Sequence, residues 1–342
     1  MATTKAKSAK KSGARKTSAK SKAATSKPKT VKAVEAKTTK KAKVTTVDKV
    51  EDKAEKVAAE KVKIMSEKSH PVKEFFARKF DASENILTIF KDTKIIGAII
   101  GEIIGTGLIT SIALTLGLFN PLYLIFGYLG VTLAVFAISG AHLNPVVTVG
   151  MMASRRVSAI RGILYIIAQV IGAWLGFLII NGFYNAGIAS GNITAESTAL
   201  PALTPVNDLT ATTEGFSFFW AVTILEFVGA IVIAFFFARA LAYKRSAFTF
   251  AATIAGGIFL AMLFATVISN SYLGLQENVF VLNPAVAFMY GVLPGSADGF
   301  DALMSALMPM IVTYVIFPVL GGVIGFYLSD FASKLSGKEL AN

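Results

Sequence analysis

From Lys94 onward the chain alternates long apolar runs with short polar breaks. Crossing ~30 Å of hydrocarbon takes ~20 residues of helix. Six runs reach that length, over about 95–118, 121–140, 162–184, 216–241, 247–270 and 304–328. Two shorter apolar pieces, about 144–153 and 283–292, are too short to cross, and each opens on Asn-Pro. Proline suits the first helical turn, because the N–H it lacks would have no helical partner there. Each piece therefore reads as a half-helix that enters the membrane and turns back. The expected architecture is an all-α membrane protein with six transmembrane helices and two re-entrant half-helices.

Ahead of Lys94 the pattern is different. Residues 1–46 are mostly Lys, Ala, Thr and Ser, with Glu35 as the one acid. Such a segment buries too little apolar area to offset its chain entropy, so a disordered tail is expected. A weakly amphipathic helix is possible between Val47 and Lys68. From Phe75 to Phe90 aromatic and aliphatic side chains alternate with Lys73, Arg78, Lys79 and Lys91. That mixture suits either a segment lying at the membrane surface or an ordinary linker. The expected organisation is a Lys-rich tail over 1–68, a juxtamembrane segment over 69–94, an apolar membrane-spanning body over 95–330 and a C-terminal tail over 331–342.

Charge follows the same division. The 342 residues are 54% hydrophobic yet carry a formal charge of +13. Residues 1–94 hold 26 basic and 11 acidic groups, whereas residues 95–342 hold 8 and 10. The body is too apolar and too sparsely charged for a water-soluble fold. Within it, the basic residues sit at Arg155, Arg156 and Arg161, at Arg239, Lys244 and Arg245, and at Lys334 and Lys338. The connections over 185–215, 271–282 and 292–303 contain no Lys or Arg. By the positive-inside tendency, both termini and the loops near 154–161 and 242–246 face the cytoplasm of a cell-membrane protein. The chain has no cysteine and only two histidines, His70 and His142, so thiolate and histidine metal cages are excluded and no cofactor is expected. No nucleophile–base pair can be assembled either, which argues against an enzyme.

The two halves of the body repeat each other. Glu102, Gly105 and Thr106 in the first span match Glu226, Gly229 and Ala230 in the fourth. Asn144-Pro145-Val146 matches Asn283-Pro284-Ala285, and the spacing of Tyr165, Gly172 and Gly176 recurs at Tyr314, Gly321 and Gly325. Three spans per copy is an odd number, so the second copy is inverted relative to the first, an arrangement that puts a solute path near the midplane. The glycines also permit close helix packing without any further role. A carboxylate in mid-span is costly unless partnered. Glu102 and Glu226 could accept hydrogen bonds from the irregular backbone leading into the half-helices, or could carry protons in a coupled secondary transporter.

These residues resemble the major intrinsic proteins, the family of aquaporins and glycerol facilitators. The resemblance rests on Ser139-Gly140-Ala141-His142-Leu143-Asn144-Pro145-Val146, on Leu282-Asn283-Pro284-Ala285, on the two Glu-x-x-Gly spans and on Gln169 to Ala173. It implies six tilted helices around one pore per subunit, in a homotetramer, with Asn144 and Asn283 pointing into the channel. In that setting each half-helix turns the positive end of its dipole to the centre, and the Asn amides donate to passing oxygens. Plain helix capping is the competing role for both asparagines. His142 is expected to support its loop, because no second metal ligand is at hand.

Departures from the family pattern bear on selectivity. The usual arginine after the second Asn-Pro-Ala is Val286, and the aspartate of glycerol-type members is Ala287. Lined up with the family, the resemblance implies Leu124, Phe264 and Phe280 as the other constriction positions beside Val286, an apolar filter. The expected function is passive conduction of water or small uncharged solutes such as glycerol. The expected partner of the tail is anionic lipid headgroups, at ~1 kcal/mol per basic residue near the surface. Few aromatics and a membrane tether argue against nucleic acid as its partner.

Overall fold

The computed structural model describes residues 89–91, 93–117, 121–192, 212–213, 216–241, 246–272, 280–289 and 300–337. All fall in the compact unit Ser69–Asn342. The expected tail over 1–68, nearly all of the 69–94 segment and the last residues of the C-terminal tail lie outside them.

Helix α1 (Thr93–Ile112) continues through a π turn over Ala113–Gly117. Helix α2 spans Pro121–Ser139, the half-helix α3 Pro145–Ala153, and α4 Ala159–Ala189. A two-residue ladder, β1 (Thr212–Thr213) with β2 (Phe216–Ser217), precedes α5 (Phe218–Ala240). Helix α6 (Ala247–Tyr272) leads to the one-turn helix α7 (Pro284–Ala287). Last come α8 (Phe300–Ile311), a π turn over Val312–Ile316 and α9 (Phe317–Leu335). The final π turn ends two residues before Pro318, whose missing N–H and bulky ring disturb the i→i−4 ladder at that point. Among the described residues, six helices are long and apolar enough to cross a membrane, as expected.

The helices outrun the apolar runs that announced them. Helix α4 starts at Ala159 behind a Ser158 cap, whose Oγ accepts the Arg161 N–H at 3.3 Å, and it ends five residues beyond the expected limit. Helix α9 carries Ser329, Asp330 and Lys334 past the expected end. Hydropathy marks where a helix meets lipid, whereas the backbone ladder continues wherever side chains permit it.

The second half-helix departs from expectation in the other direction. The first, α3, matches the expected 144–153. The second was expected over 283–292 and is a single turn, Pro284–Ala287. The Phe288 N–H still bonds to Pro284 O at 3.1 Å, but Met289 bonds three residues back, to Val286 O at 2.9 Å. Gly291 and Pro294 follow in the sequence, both helix-ending residues.

The inverted repeat shows in the packing. Helix α4 lies against α1, and α9 lies against α5. A Cβ at Gly172 or Gly176 would run into the carbonyl oxygens of Ile103 and Gly107. In the other half, a Cβ at Gly321 or Gly325 would meet those of Phe227 and Ile231. These glycines let backbones touch. One junction differs between halves. Val146, where the family pattern has alanine, is fully buried with its carbonyl and Cγ1 against Gly322. The corresponding residues of the other half are Ala285 and Ala173, both buried.

Candidate functional site

The two Asn-Pro turns are entered by extended chain that has no ladder of its own. Ala141 (φ 53°), Leu143 (φ 55°) and Leu282 (φ 54°) adopt left-handed conformations that non-glycine residues rarely visit. In both loops the left-handed turn presents successive N–H groups to a single carboxylate. His142 N donates to Glu102 Oε1 at 3.0 Å and Leu143 N to Oε2 at 2.7 Å. Val281 N donates to Glu226 Oε1 at 2.7 Å, and Leu282 N reaches Oε1 at 3.2 Å and Oε2 at 3.1 Å. Both glutamates are fully buried. Of the two roles open for them in the sequence, this geometry realises the acceptor role. The Leu143 and Leu282 side chains fill the space that a Cβ at Gly105 or Gly229 would need.

The halves are not equal in their support. Gln169 Nε2 donates to Glu102 Oε2 at 2.8 Å and to Thr148 Oγ1 at 2.9 Å. Thr148 in turn lies 3.2 Å from His142 Nδ1. The His142 ring meets Tyr165 and Phe237 edge-on, with centroids 5.0 and 5.8 Å away. His142 is thus tied into its loop by backbone and ring together. The repeat puts Pro318 at the position equivalent to Gln169, so no equivalent of the Gln169 amide stands beside Glu226 among the described residues. Among the described residues no cluster of three His, Asp or Glu side chains could hold a metal ion.

Asn144 and Asn283 cap their helices and brace each other's loops. Asn144 Oδ1 accepts Val146 N at 2.9 Å, and Asn283 Oδ1 accepts Ala285 N at 3.1 Å. Their amide groups cross over: Asn144 Nδ2 donates to Leu282 O at 2.8 Å and Asn283 Nδ2 to Leu143 O at 3.0 Å. Capping is therefore realised, and each amide also ties the opposite loop. Pro145, Val146, Pro284 and Ala285 are buried at the helix starts, where they set the asparagines rather than present polar groups.

A cavity reaches the second asparagine. Its wall consists of Ile109 and Ala113, Leu124 and Tyr128, Ile233, Ile258 and Met262, and the loop residues Val281, Leu282, Asn283 and Val286. Leu124 and Val286 are both part of this wall. Phe280 is buried in the adjoining core. Phe264 does not stand there. It is 44% exposed on the outer face of α6, and Met262 takes the wall position. Two residues turn a helix by about 200°, so an offset of two moves a side chain from one face to the other. The sequence reading also missed Tyr128, which is one turn after Leu124 and therefore on the same face of α2. Asn283 Nδ2 lies 3.3 Å from its hydroxyl. The signal was a polar-tipped aromatic at i+4 from Leu124.

With this geometry in place, comparison with known proteins decides the family. The family model for major intrinsic proteins matches residues 89–328. The chain belongs to the major intrinsic protein family. Curated relatives match over short stretches. A probable aquaporin, PIP2-6, of Oryza sativa subsp. japonica is 44% identical over 63 residues, 17% of this chain and 22% of its own length. Aquaporin-1 of Ovis aries is 43% identical over 68 residues, 20% and 23% of the two chains. These matches span only about a fifth of each relative. The X-ray structure of the aquaglyceroporin from Plasmodium falciparum aligns with a TM-score of 0.48 at 21% identity, covering 69% of this chain and 96% of that one. The protein is a multi-pass membrane protein with the helical architecture of its family.

Proposed function

We propose that this major intrinsic protein is a passive channel for water and small uncharged solutes such as glycerol. The observation that carries the reading is a largely apolar cavity that ends on Asn283, in a loop whose amide contacts cross with those of Asn144. Asn144 spends one amide N–H on Leu282 O, which leaves the second for a passing oxygen. A solute entering the cavity sheds its water against Leu124, Met262 and Val286, and finds polar partners again at the asparagines.

Ion exclusion rests unevenly on the two half-helices. Helix α3, nine residues long, turns its positive end toward Asn144. Helix α7, one turn long, adds a weaker dipole. The filter has Val286 instead of an arginine, so no fixed basic charge stands there. Leu124 and Val286, with Met262 in the place assigned to Phe264 and Phe280 buried behind them, make this constriction apolar.

The wider assignment is part of the same proposal. The protein sits in the cell membrane with both termini in the cytoplasm, as the one-sided Lys and Arg distribution supports. It assembles as a homotetramer, following the family resemblance. Its Lys-rich 1–68 tail lies against anionic headgroups, and 69–94 leads into the 95–330 channel, which the 331–342 tail follows.

Stopped-flow swelling of proteoliposomes tests the reading. Water and glycerol fluxes should be fast, unsaturating and independent of proton or sodium gradients. A gradient requirement would instead favour a coupled transporter using Glu102 or Glu226. Val286→Arg should reduce glycerol flux more than water flux, because the longer side chain narrows the cavity that Val286 lines.

A further inference from the structure

The wall of the cavity is apolar except at two side chains, and those two are bonded to each other. Tyr128 is 6% exposed, with its ring on the cavity wall and its hydroxyl accepting the Asn283 amide at 3.3 Å. The second proton of that amide goes to Leu143 O. Asn283 therefore has both amide N–H groups engaged within the protein, whereas Asn144 has one. The asymmetry traces to one residue, because the Asn oxygens cap their helices alike and the amides cross over alike.

We propose that Tyr128 is a specificity-determining gate at the centre of the pore, its hydroxyl occupying the place that a permeating solute's oxygen must take on Asn283. This rests on the channel reading above. A solute passes Asn283 only by exchange: its oxygen displaces the phenol as amide acceptor, and the freed hydroxyl can donate to a second oxygen of the solute. Neutral molecules with adjacent hydroxyls satisfy both groups at once, and water satisfies them in succession. A solute lacking an acceptor oxygen leaves the Tyr128–Asn283 bond closed. The ring sets the width of the passage, and the hydroxyl sets the chemistry of the exchange.

Two substitutions separate these contributions in full-length protein reconstituted in liposomes, with water and glycerol fluxes measured by stopped-flow light scattering. Tyr128→Phe keeps the ring and frees one amide N–H, so water flux should rise about fivefold, the rate equivalent of one ordinary hydrogen bond. Tyr128→Val removes the ring as well, so glycerol flux should rise by a larger factor than water flux. Wild-type protein that conducts while both variants match it overturns this proposal and leaves the channel reading standing. A Tyr128→Phe flux below wild type also overturns it, since the hydroxyl would then assist passage. Wild type and both variants no faster than empty liposomes overturn both readings. An inert wild type with a conducting Tyr128→Val supports the gate directly. Tyr128→Phe alters no packing volume inside the ring, so its result stands even if Tyr128→Val assembles poorly.

Discussion

Glu102 divides its two backbone donors between separate oxygens, whereas Glu226 brings both of its donors within reach of one. His142 N and Leu143 N go to Oε1 and Oε2 of Glu102. Val281 N and Leu282 N both approach Oε1 of Glu226, at 2.7 and 3.2 Å. Gln169 adds a third donor to Glu102. Replacement by glutamine keeps one acceptor oxygen and turns the other into a donor. Glu226→Gln can keep both backbone bonds, and Glu102→Gln must leave at least one donor facing an amide N–H. Each buried donor left unpaired costs about 1–3 kcal/mol. Thermal unfolding in detergent should show Glu102→Gln as the more damaging change, and equal or reversed losses would contradict this account.

The Arg156 guanidinium and the Asp330 carboxylate form a second relationship with a measurable consequence. Their contacts are 2.6 and 3.2 Å, and the side chains are 3% and 6% exposed. The pair ties the loop after α3 to α9, with Arg156 also 5.5 Å above the Phe326 ring. Asp330→Leu should cost about 3–5 kcal/mol, because it removes the carboxylate that faces a buried guanidinium. The double change Arg156→Met with Asp330→Leu should recover most of that loss. Chemical or thermal denaturation of wild type, Arg156→Met, Asp330→Leu and the double variant completes the cycle, and a double-variant loss equal to the sum of the two single losses would show that the pair is not coupled.

Phe264 and Met262 make opposite predictions on one helix. Met262→Ala enlarges the cavity wall and should raise glycerol flux. Phe264→Ala changes an outward face and should leave both fluxes near wild type. Parallel swelling assays decide it: an increase confined to Phe264→Ala would reverse the assignment of faces on α6.

Backbone contact between α9 and α5 predicts a stability effect remote from the pore. Gly321→Ala adds a methyl 2.5 Å from the Phe227 carbonyl oxygen and 3.1 Å from Ala230 Cβ. Overpacking of this kind costs about 1–3 kcal/mol. Gly256→Ala is the matched control, since its added Cβ meets nothing within 4 Å. Comparable melting temperatures for the two variants would refute the close approach.

Much of this was legible in the sequence for physical reasons. The asparagines, prolines and glutamates could be found because inversion forces the same backbone problem to be solved twice, with the same residue types at matching offsets. Leu124 and Val286 could be placed because each sits close in sequence to an Asn-Pro turn or to the start of a span. Phe264 could not, because its place was counted across the connection following α6, and helical phase does not survive an uncertain loop length. The length of α7 was hidden because Val286 to Met289 is apolar whether or not it is helical. Tyr128 escaped notice because an aromatic in an apolar span has no visible purpose until a tertiary contact brings an amide to its hydroxyl.

The pairing of Val146 with Gly322 bears on how such a molecule can change over time. Where one half has valine opposite glycine, the other has alanine in both positions, so a similar volume is distributed differently across each junction. Val146→Ala alone would open a void, and Gly322→Ala alone would force a collision, yet the two together would reproduce the arrangement of the other half. Neither step is comfortable by itself. The two copies therefore hold separate local solutions that do not interchange one residue at a time, and a chimera built by exchanging half-helices would have to carry the facing residue of α9 or α4 along with them.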